Sequence, residues 1–148
     1  MAAVYLDKRC PKIQVTVSSD VCNTYQVKGG VKVYCKCCIR LLYRVRQVLV
    51  KIDNKPQYRF SQTENEVKIW QQLDKQDRIY FAPILAYDLE NRWIVQPFFT
   101  WRRGRRSYAD SDIADDLFNK YGLIDHDHQN GNWAITSDGR LIIYDYGL

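Results

Sequence analysis

Acidic and amide side chains stand at both ends of a predicted β-hairpin near the end of the sequence. Asp127 and Asn132 come before its first apolar strand, Asp145 follows its second, and Asp138-Gly139 favours a tight turn between them. Because such a turn brings the ends of a hairpin together, we expect the three side chains to converge at one rim. Carboxylate and amide oxygens can hold Mg²⁺ there and leave coordination positions for substrate oxygens. The alternative interpretation is that these side chains only cap the hairpin and its loop.

An inward-facing carboxylate is predicted on a helix earlier in the chain. Residues 61–64 read Ser-Gln-Thr-Glu, a capping box that favours a helix start. In that helix Glu66 shares its face with Trp70 and Leu73, so its carboxylate should point inward and need a partner there. The alternative for Glu66 is a helix-start carboxylate that the macrodipole favours near the N-terminus.

The spacing of these residues resembles the protein-kinase-like superfamily. That family has a catalytic Asp followed after four residues by an Asn, and later an Asp-Phe-Gly motif. Asp127 and Asn132 have this interval, and Asp145-Tyr146-Gly147 stands where Asp-Phe-Gly would. The Gly131-Asn132 pair is more similar to kinases of the aminoglycoside phosphotransferase type and to short phage kinase-like proteins.

Earlier parts of the chain resemble the same family. Lys51, at the end of a Val-Leu-Val-Lys sequence, resembles the lysine of the third strand, and Glu66 resembles the glutamate of helix C. A solvated lysine at a strand edge is the alternative for Lys51. Gln96 to Phe99 resembles the hinge that contacts adenine, with Gln96 and Phe98 as the contacting residues.

The resemblance implies an α+β, protein-kinase-like fold. An antiparallel N-lobe sheet with one helix would occupy residues 1–96, a hinge 97–100, and a much reduced C-lobe 101–148, ending after Asp-Tyr-Gly. It also implies an Mg-ATP-dependent phosphotransferase acting on a hydroxyl of a protein or small molecule. The implied catalytic residues are Asp127 and Lys51, the nucleotide-binding residues are Lys51, Glu66, Gln96 and Phe98, and the Mg²⁺ ligands are Asn132 and Asp145.

Departures from the family pattern leave other functions open. No Gly-x-Gly-x-x-Gly is present, and Gly29-Gly30 alone could cover phosphates; Asp125 and His126 replace the family's His-Arg. One alternative is a pseudokinase-type binding or inhibitory module, of phage or viral origin, that contacts a host or partner protein without turnover. Another is a basic nucleic-acid-binding domain, although no RNA-binding signature supports it.

Periodicity and turn signals predict the elements that would position these residues. Strands are predicted at 12–17, 31–36 and 44–52, and a hairpin at 82–87 and 92–96. A short helix is predicted from Ser111 to Tyr121, stopped by Gly122. The tryptophans at 70, 93 and 101 are predicted to be core residues. Strands at 133–136 and 141–144 form the final hairpin.

Length, charge and cysteine content bound the class of protein. The 148 residues are 46% hydrophobic, enough for one packed domain, and contain no apolar run of membrane-spanning length. The net charge is +9 over residues 1–60, +2 over 61–108 and −6 over 109–148, which suits a polyanion held with metal ions. Five cysteines, an odd number, are expected to be thiols in a cytoplasm, that of the host for a viral protein.

The reduced C-lobe predicts an association surface. Leu117, Phe118, Leu123, Ile124 and the strand at 141–144 should leave apolar surface exposed on one side. Since monomers rarely leave large apolar patches open, we expect a second copy or a partner protein to cover it. A homodimer is the simplest closed arrangement.

Overall fold

The computed structural model describes residues 3–18, 24–33, 40–53, 61–102, 107–123 and 132–147. These residues form a mixed α+β structure with a mostly antiparallel sheet and two α-helices, which confirms the coarse fold class. The chain divides into two compact units, residues 1–63 with 84–98 and residues 64–83 with 99–148. The finer division into N-lobe, hinge and reduced C-lobe stays a prediction. No helix within the described ranges is long and apolar enough to cross a bilayer.

The first unit is built on antiparallel strands. They are β1 (Val4–Tyr5), β2 (Val15–Ser18), β3 (Thr24–Val27), β4 (Val31–Val33), β5 (Arg40–Val45), β6 (Val48–Asp53), β7 (Ala86–Asp88) and β8 (Trp93–Pro97). Six of them form one sheet in the spatial order β1-β7-β8-β6-β5-β4, while β2 and β3 pair separately. The hairpin predicted at 82–87 and 92–96 is confirmed as β7 and β8, although its first strand begins at Ala86.

The single strand predicted over residues 44–52 is wrong. The chain turns at Arg46-Gln47 and forms the hairpin β5–β6, in which Val45 pairs with Val48. Two-residue hairpin turns require a positive φ, usually supplied by Gly or Asn, and here Arg46 adopts φ 52°. The turn has no composition signal, so the β-branched residues on both sides look like one continuous strand.

Central strands of this sheet are buried on both faces. Val50 and Ile52 of β6 and Val95 of β8 are fully buried in a core that also contains Tyr43 and Trp93. Strands covered on both sides need nearly continuous apolar sequence, and this explains why β6 and β8 alternate so little.

A polar network joins the end of β6 to the first residues of the helix that follows. Asp53 accepts hydrogen bonds from the Arg40 guanidinium (Nε, 3.0 Å), the Ser61 hydroxyl (2.7 Å) and the Thr63 N–H (3.2 Å). Arg40 also donates to the Thr63 hydroxyl at 3.2 Å. Arg40 and Asp53 are only 4% and 8% exposed, so this is a buried ion pair that also satisfies a helix-start N–H.

The second unit contains most of α1 (Gln62–Gln72), a 3-10 turn (Arg78–Tyr80), α2 (Tyr108–Tyr121), and the hairpin β9 (Trp133–Ile135) and β10 (Leu141–Ile143). Helix α2 begins three residues before the predicted Ser111, because Ser107 caps it by accepting the Asp110 N–H. Its predicted end is confirmed, since Gly122 adopts the left-handed conformation (φ 63°) of a helix stop. The final hairpin is confirmed, with Gly139 at φ 91° in its turn.

Two predictions about exposure in this unit are wrong. Leu117, Phe118 and the strand β10 do not leave an open apolar face, because within one chain they are between 0% and 6% exposed. They pack around Phe81, Trp133 and Tyr146, so the short unit closes its own core. Ile124 lies outside the described residues. The homodimer stays a prediction without this support. Trp101, predicted to be buried, is 41% exposed.

Candidate functional site

The β9–β10 hairpin brings two of the predicted metal ligands together. The Asn132 carbonyl accepts the Tyr144 N–H at 2.9 Å and the Asp145 N–H at 3.3 Å, so the chain is paired one step beyond each strand. Asn132 and Asp145 are therefore joined through their backbones at one rim, although the register of the hairpin places Tyr144 directly opposite Asn132. Both Asn132 and Asp145 are half-buried. Asp127, the third residue expected there, lies outside the described residues, as do Asp125, His126 and Gly131.

The Asp145-Tyr146-Gly147 segment is held in place by contacts of Tyr146 and Gly147. Tyr146 is 2% exposed, and its hydroxyl donates to the Ala82 carbonyl at 2.9 Å. Its ring meets Phe81 edge-on at 5.3 Å, the preferred geometry for aromatic pairs. The Asn65 side chain donates to the Gly147 carbonyl at 3.2 Å. These contacts fix the backbone that carries Asp145.

Glu66 contacts the same segment from helix α1. Its side chain is fully buried, as the apolar-face pattern predicted, and Oε1 accepts the Tyr146 N–H at 3.3 Å. Burying a carboxylate is costly unless hydrogen bonds or an opposite charge compensate, and the Tyr146 N–H is one such donor. The predicted pairing of Glu66 with Lys51 stays a prediction.

Lys51 does not lie at a strand edge. It is on the central strand β6, opposite Leu42 of β5 and Ile94 of β8, and is only 3% exposed. Lysine is almost never this buried without a partner for its ammonium group, so the solvated alternative is wrong. A buried lysine in the middle of a sheet is the kind of cation that can contact a polyanionic ligand in a low-dielectric site.

The two predicted adenine-contacting residues lie at the end of β8. Gln96 is 1% exposed, and its amide nitrogen has no hydrogen-bond partner within the described residues. Phe98 is half-buried beneath the Arg44 guanidinium, 4.1 Å from the ring centroid, and its N–H donates to the Gln47 carbonyl at 2.8 Å. The Phe98 N–H is therefore already engaged in this structure and is not open to a nucleotide base.

Gly29-Gly30, the only predicted phosphate-covering glycines, form the turn between β3 and β4. Gly29 has φ 72°, and a Cβ on Gly30 would lie 3.0 Å from the Val27 side chain, so a larger residue would displace it. Beside this turn lies a cavity of about 480 Å³ lined by Gln14, Thr16, Tyr25, Gln26 and Lys28, among others. This cavity was not predicted from the sequence, because residues from three separated segments form it.

The donor chemistry at the hairpin rim suits Mg²⁺ better than softer metals. Asn132 and Asp145 offer an amide and a carboxylate, and Mg²⁺ sites typically use one or two carboxylates together with waters and substrate phosphates. Within the described residues no group of three or more His, Cys, Asp or Glu side chains is arranged to hold a metal ion. One amide and one carboxylate would leave most coordination positions of a Mg²⁺ ion to other oxygen ligands.

A second polar cluster was not anticipated from the sequence. Asp77 accepts hydrogen bonds from the Lys120 ammonium at 2.7 Å and from the Tyr121 hydroxyl. Lys120 also pairs with Asp74 at 2.7 Å, and Tyr121 accepts the Asp74 N–H at 3.0 Å. The hydrogen bond from Lys120, then that from Tyr121, lowers the pKa of Asp77. This cluster ties the 3-10 turn region to the end of α2.

Comparison of the chain with protein-family models, with curated proteins and with solved structures finds no match.

Proposed function

We propose that this protein binds Mg-ATP and is a kinase-like phosphotransferase to a hydroxyl of a protein or small molecule. The observation that carries the proposal is the closure of the β9–β10 hairpin, which pairs the backbone of Asn132 with that of Asp145. Two oxygen-bearing side chains on residues that are hydrogen-bonded through their backbones suit a hydrated Mg²⁺ that a nucleotide phosphate also coordinates.

The positions of Lys51 and Glu66 also support the proposed Mg-ATP-binding function. In the kinase family the phosphate-contacting lysine lies on the third strand, and its glutamate partner lies on the helix that follows. Here Lys51 is on β6, the last of the consecutive antiparallel strands β4, β5 and β6, and α1 with Glu66 is the next helix. Both side chains are buried, which is expected of a functional ion pair and not of surface charges.

The proposed roles follow from the chemistry of phosphoryl transfer, which depends on positioning and charge stabilisation. Lys51 contacts the nucleotide phosphates, and Glu66 orients Lys51. Asn132 and Asp145 would hold Mg²⁺, which would neutralise charge on the phosphoryl oxygens. Asp127 orients the acceptor hydroxyl and accepts its proton. The adenine ring of the nucleotide would lie near Gln96, whose buried amide nitrogen lacks a hydrogen-bond partner within the described residues.

The proposal is tested by thermal unfolding with ATP in the presence and absence of Mg²⁺. Ligand at 100 times its Kd should stabilise the folded protein by about 2.7 kcal/mol, and chelation of Mg²⁺ should remove most of that gain. Unchanged unfolding at millimolar Mg-ATP would contradict nucleotide binding. Measurement of ADP release then distinguishes a phosphotransferase from a pseudokinase. A phosphotransferase should release ADP as wild type and lose this activity in Asp127→Ala. A pseudokinase should bind Mg-ATP and release no ADP.

A further inference from the structure

Three aromatic rings form a partly exposed row in the second unit. Trp101 lies between Phe99 and Tyr144, with ring centroids 5.6 Å and 5.1 Å apart and planes tilted by 38° and 43°. Trp101 is 41% exposed, whereas Trp93 and Trp133 are 3% and 4% exposed. A tryptophan this accessible offers a flat ring on which a ligand can stack.

Backbone pairing holds this aromatic row in place. Trp101 forms an antiparallel bridge with Thr136, and the Arg102 N–H donates to the Ile135 carbonyl at 2.8 Å. The Ser137 N–H donates to the Thr100 carbonyl, also at 2.8 Å. The segment that carries Trp101 is thus an added strand beside the final hairpin. Rings positioned in advance lose little conformational entropy when a planar ligand stacks on them.

Arg102 supplies positive charge beside the row. The Arg102 guanidinium lies against the hairpin turn, where its Nη2 atom would be 3.0 Å from a Cβ on Gly139. The sequence continues with Arg103, Arg105 and Arg106, which lie outside the described residues, and no acidic residue occurs between Phe99 and Ser107. Aromatic rings next to an arginine-rich segment match a ligand that has flat rings joined by anionic groups.

We propose that the row Phe99–Trp101–Tyr144 is a stacking platform for the bases of single-stranded nucleic acid, with Arg102 contacting its phosphates. Single-stranded nucleic acid offers a π-face on every base and a phosphate between neighbouring bases. The proposed recognition needs no specific base edge and is therefore tolerant of sequence. This ligand is distinct from the Mg-ATP of the proposed function, and either proposal can fail without the other.

Fluorescence anisotropy with a labelled oligothymidylate of about 12 nucleotides, at low salt and without Mg²⁺ or ATP, tests the platform. Trp101→Ala should weaken binding roughly tenfold or more, the loss expected when a stacked base is given up. Tyr108→Ala is the matched control, because Tyr108 is 92% exposed on α2 and its removal should leave the affinity unchanged. Arg102→Ala should weaken binding and lower the slope of log affinity against log salt by about 1.

An abasic oligomer of the same length separates stacking from charge. Wild type should bind it much more weakly than oligothymidylate, and the difference between the two ligands should be smaller for Trp101→Ala. Equal binding of both ligands by wild type would overturn the platform and leave only electrostatic attraction. A Trp101→Ala variant that loses Mg-ATP affinity but keeps oligothymidylate affinity would also overturn it, since the row would then serve the nucleotide.

Discussion

Asp53→Ala should destabilise the first unit far more than the loss of an exposed ion-pair partner. The substitution removes the carboxylate that Arg40 contacts at 3.0 Å, and it also removes the acceptor for the Ser61 hydroxyl and the Thr63 N–H. Because Arg40 is 4% exposed, water cannot replace the lost partner. Breaking a buried ion pair from one side costs about 3–5 kcal/mol.

Thermal unfolding measured by circular dichroism gives the comparison directly. A loss of that size should lower Tm by roughly 10 °C in a chain of this length. The matched control is Lys68→Met, which removes one partner of the Glu64–Lys68 pair, whose side chains are 52% and 61% exposed. That pair is worth only about 0.5 kcal/mol, so Tm should fall by no more than about 2 °C.

A conservative variant protects this prediction against simple failure to fold. Asp53→Asn keeps an acceptor for the Thr63 N–H and should lose less stability than Asp53→Ala. The double variant Arg40→Met with Asp53→Ala should lose less than the two single losses combined, because the uncompensated buried guanidinium is gone. If Asp53→Ala lowers Tm no more than Lys68→Met, the network at the end of β6 does not stabilise the fold as argued.

Two further predictions concern the other buried or paired charges. Lys51→Ala and Glu66→Ala should each weaken Mg-ATP binding in a calorimetric titration, and their losses of binding free energy should not add in a double-mutant cycle. As the control, the losses from Lys51→Ala and from Lys32→Ala, an exposed lysine, should add. Additive losses in both cycles would exclude the Lys51–Glu66 pair. Since hydrogen bonds from Lys120 and Tyr121 lower the pKa of Asp77, its contribution to stability is present above the unfolded-state pKa of about 4 and is lost as pH falls through the folded-state pKa. Tm between pH 7 and pH 3 should therefore fall more steeply in wild type than in Asp77→Asn, and parallel curves would contradict this.

Local signals made the final hairpin and the ends of the helices predictable. Asp138-Gly139 supplies the positive φ that the turn between β9 and β10 needs, and Gly122 supplies the one that ends α2. The inward position of Glu66 followed from helical periodicity alone. Its hydrogen-bond donor did not, because the Tyr146 N–H is 80 residues away in sequence.

The errors arose where tertiary context overrides local preference. Arg46 takes a backbone conformation that its side chain does not favour, so the β5–β6 turn has no residue signature. Trp101 looks like a core residue by type, but the added strand beside β9 turns its ring toward solvent. The apolar residues of α2 and β10 are covered by Phe81 and Tyr146 from other segments of the chain. The expectation of a reduced C-lobe could not indicate these contacts.

Calorimetric titration of Mg-ATP into wild type and Asp145→Ala tests the central proposal most directly. Wild type should bind Mg-ATP, and Asp145→Ala should lose the Mg²⁺-dependent part of the affinity while its unfolding transition remains cooperative. Asp115→Ala, an exposed carboxylate on α2, makes the same change in net charge and should bind like wild type. Equal Mg-ATP affinity in wild type and Asp145→Ala, or no measurable binding by wild type, would contradict a metal-assisted nucleotide site at the hairpin rim.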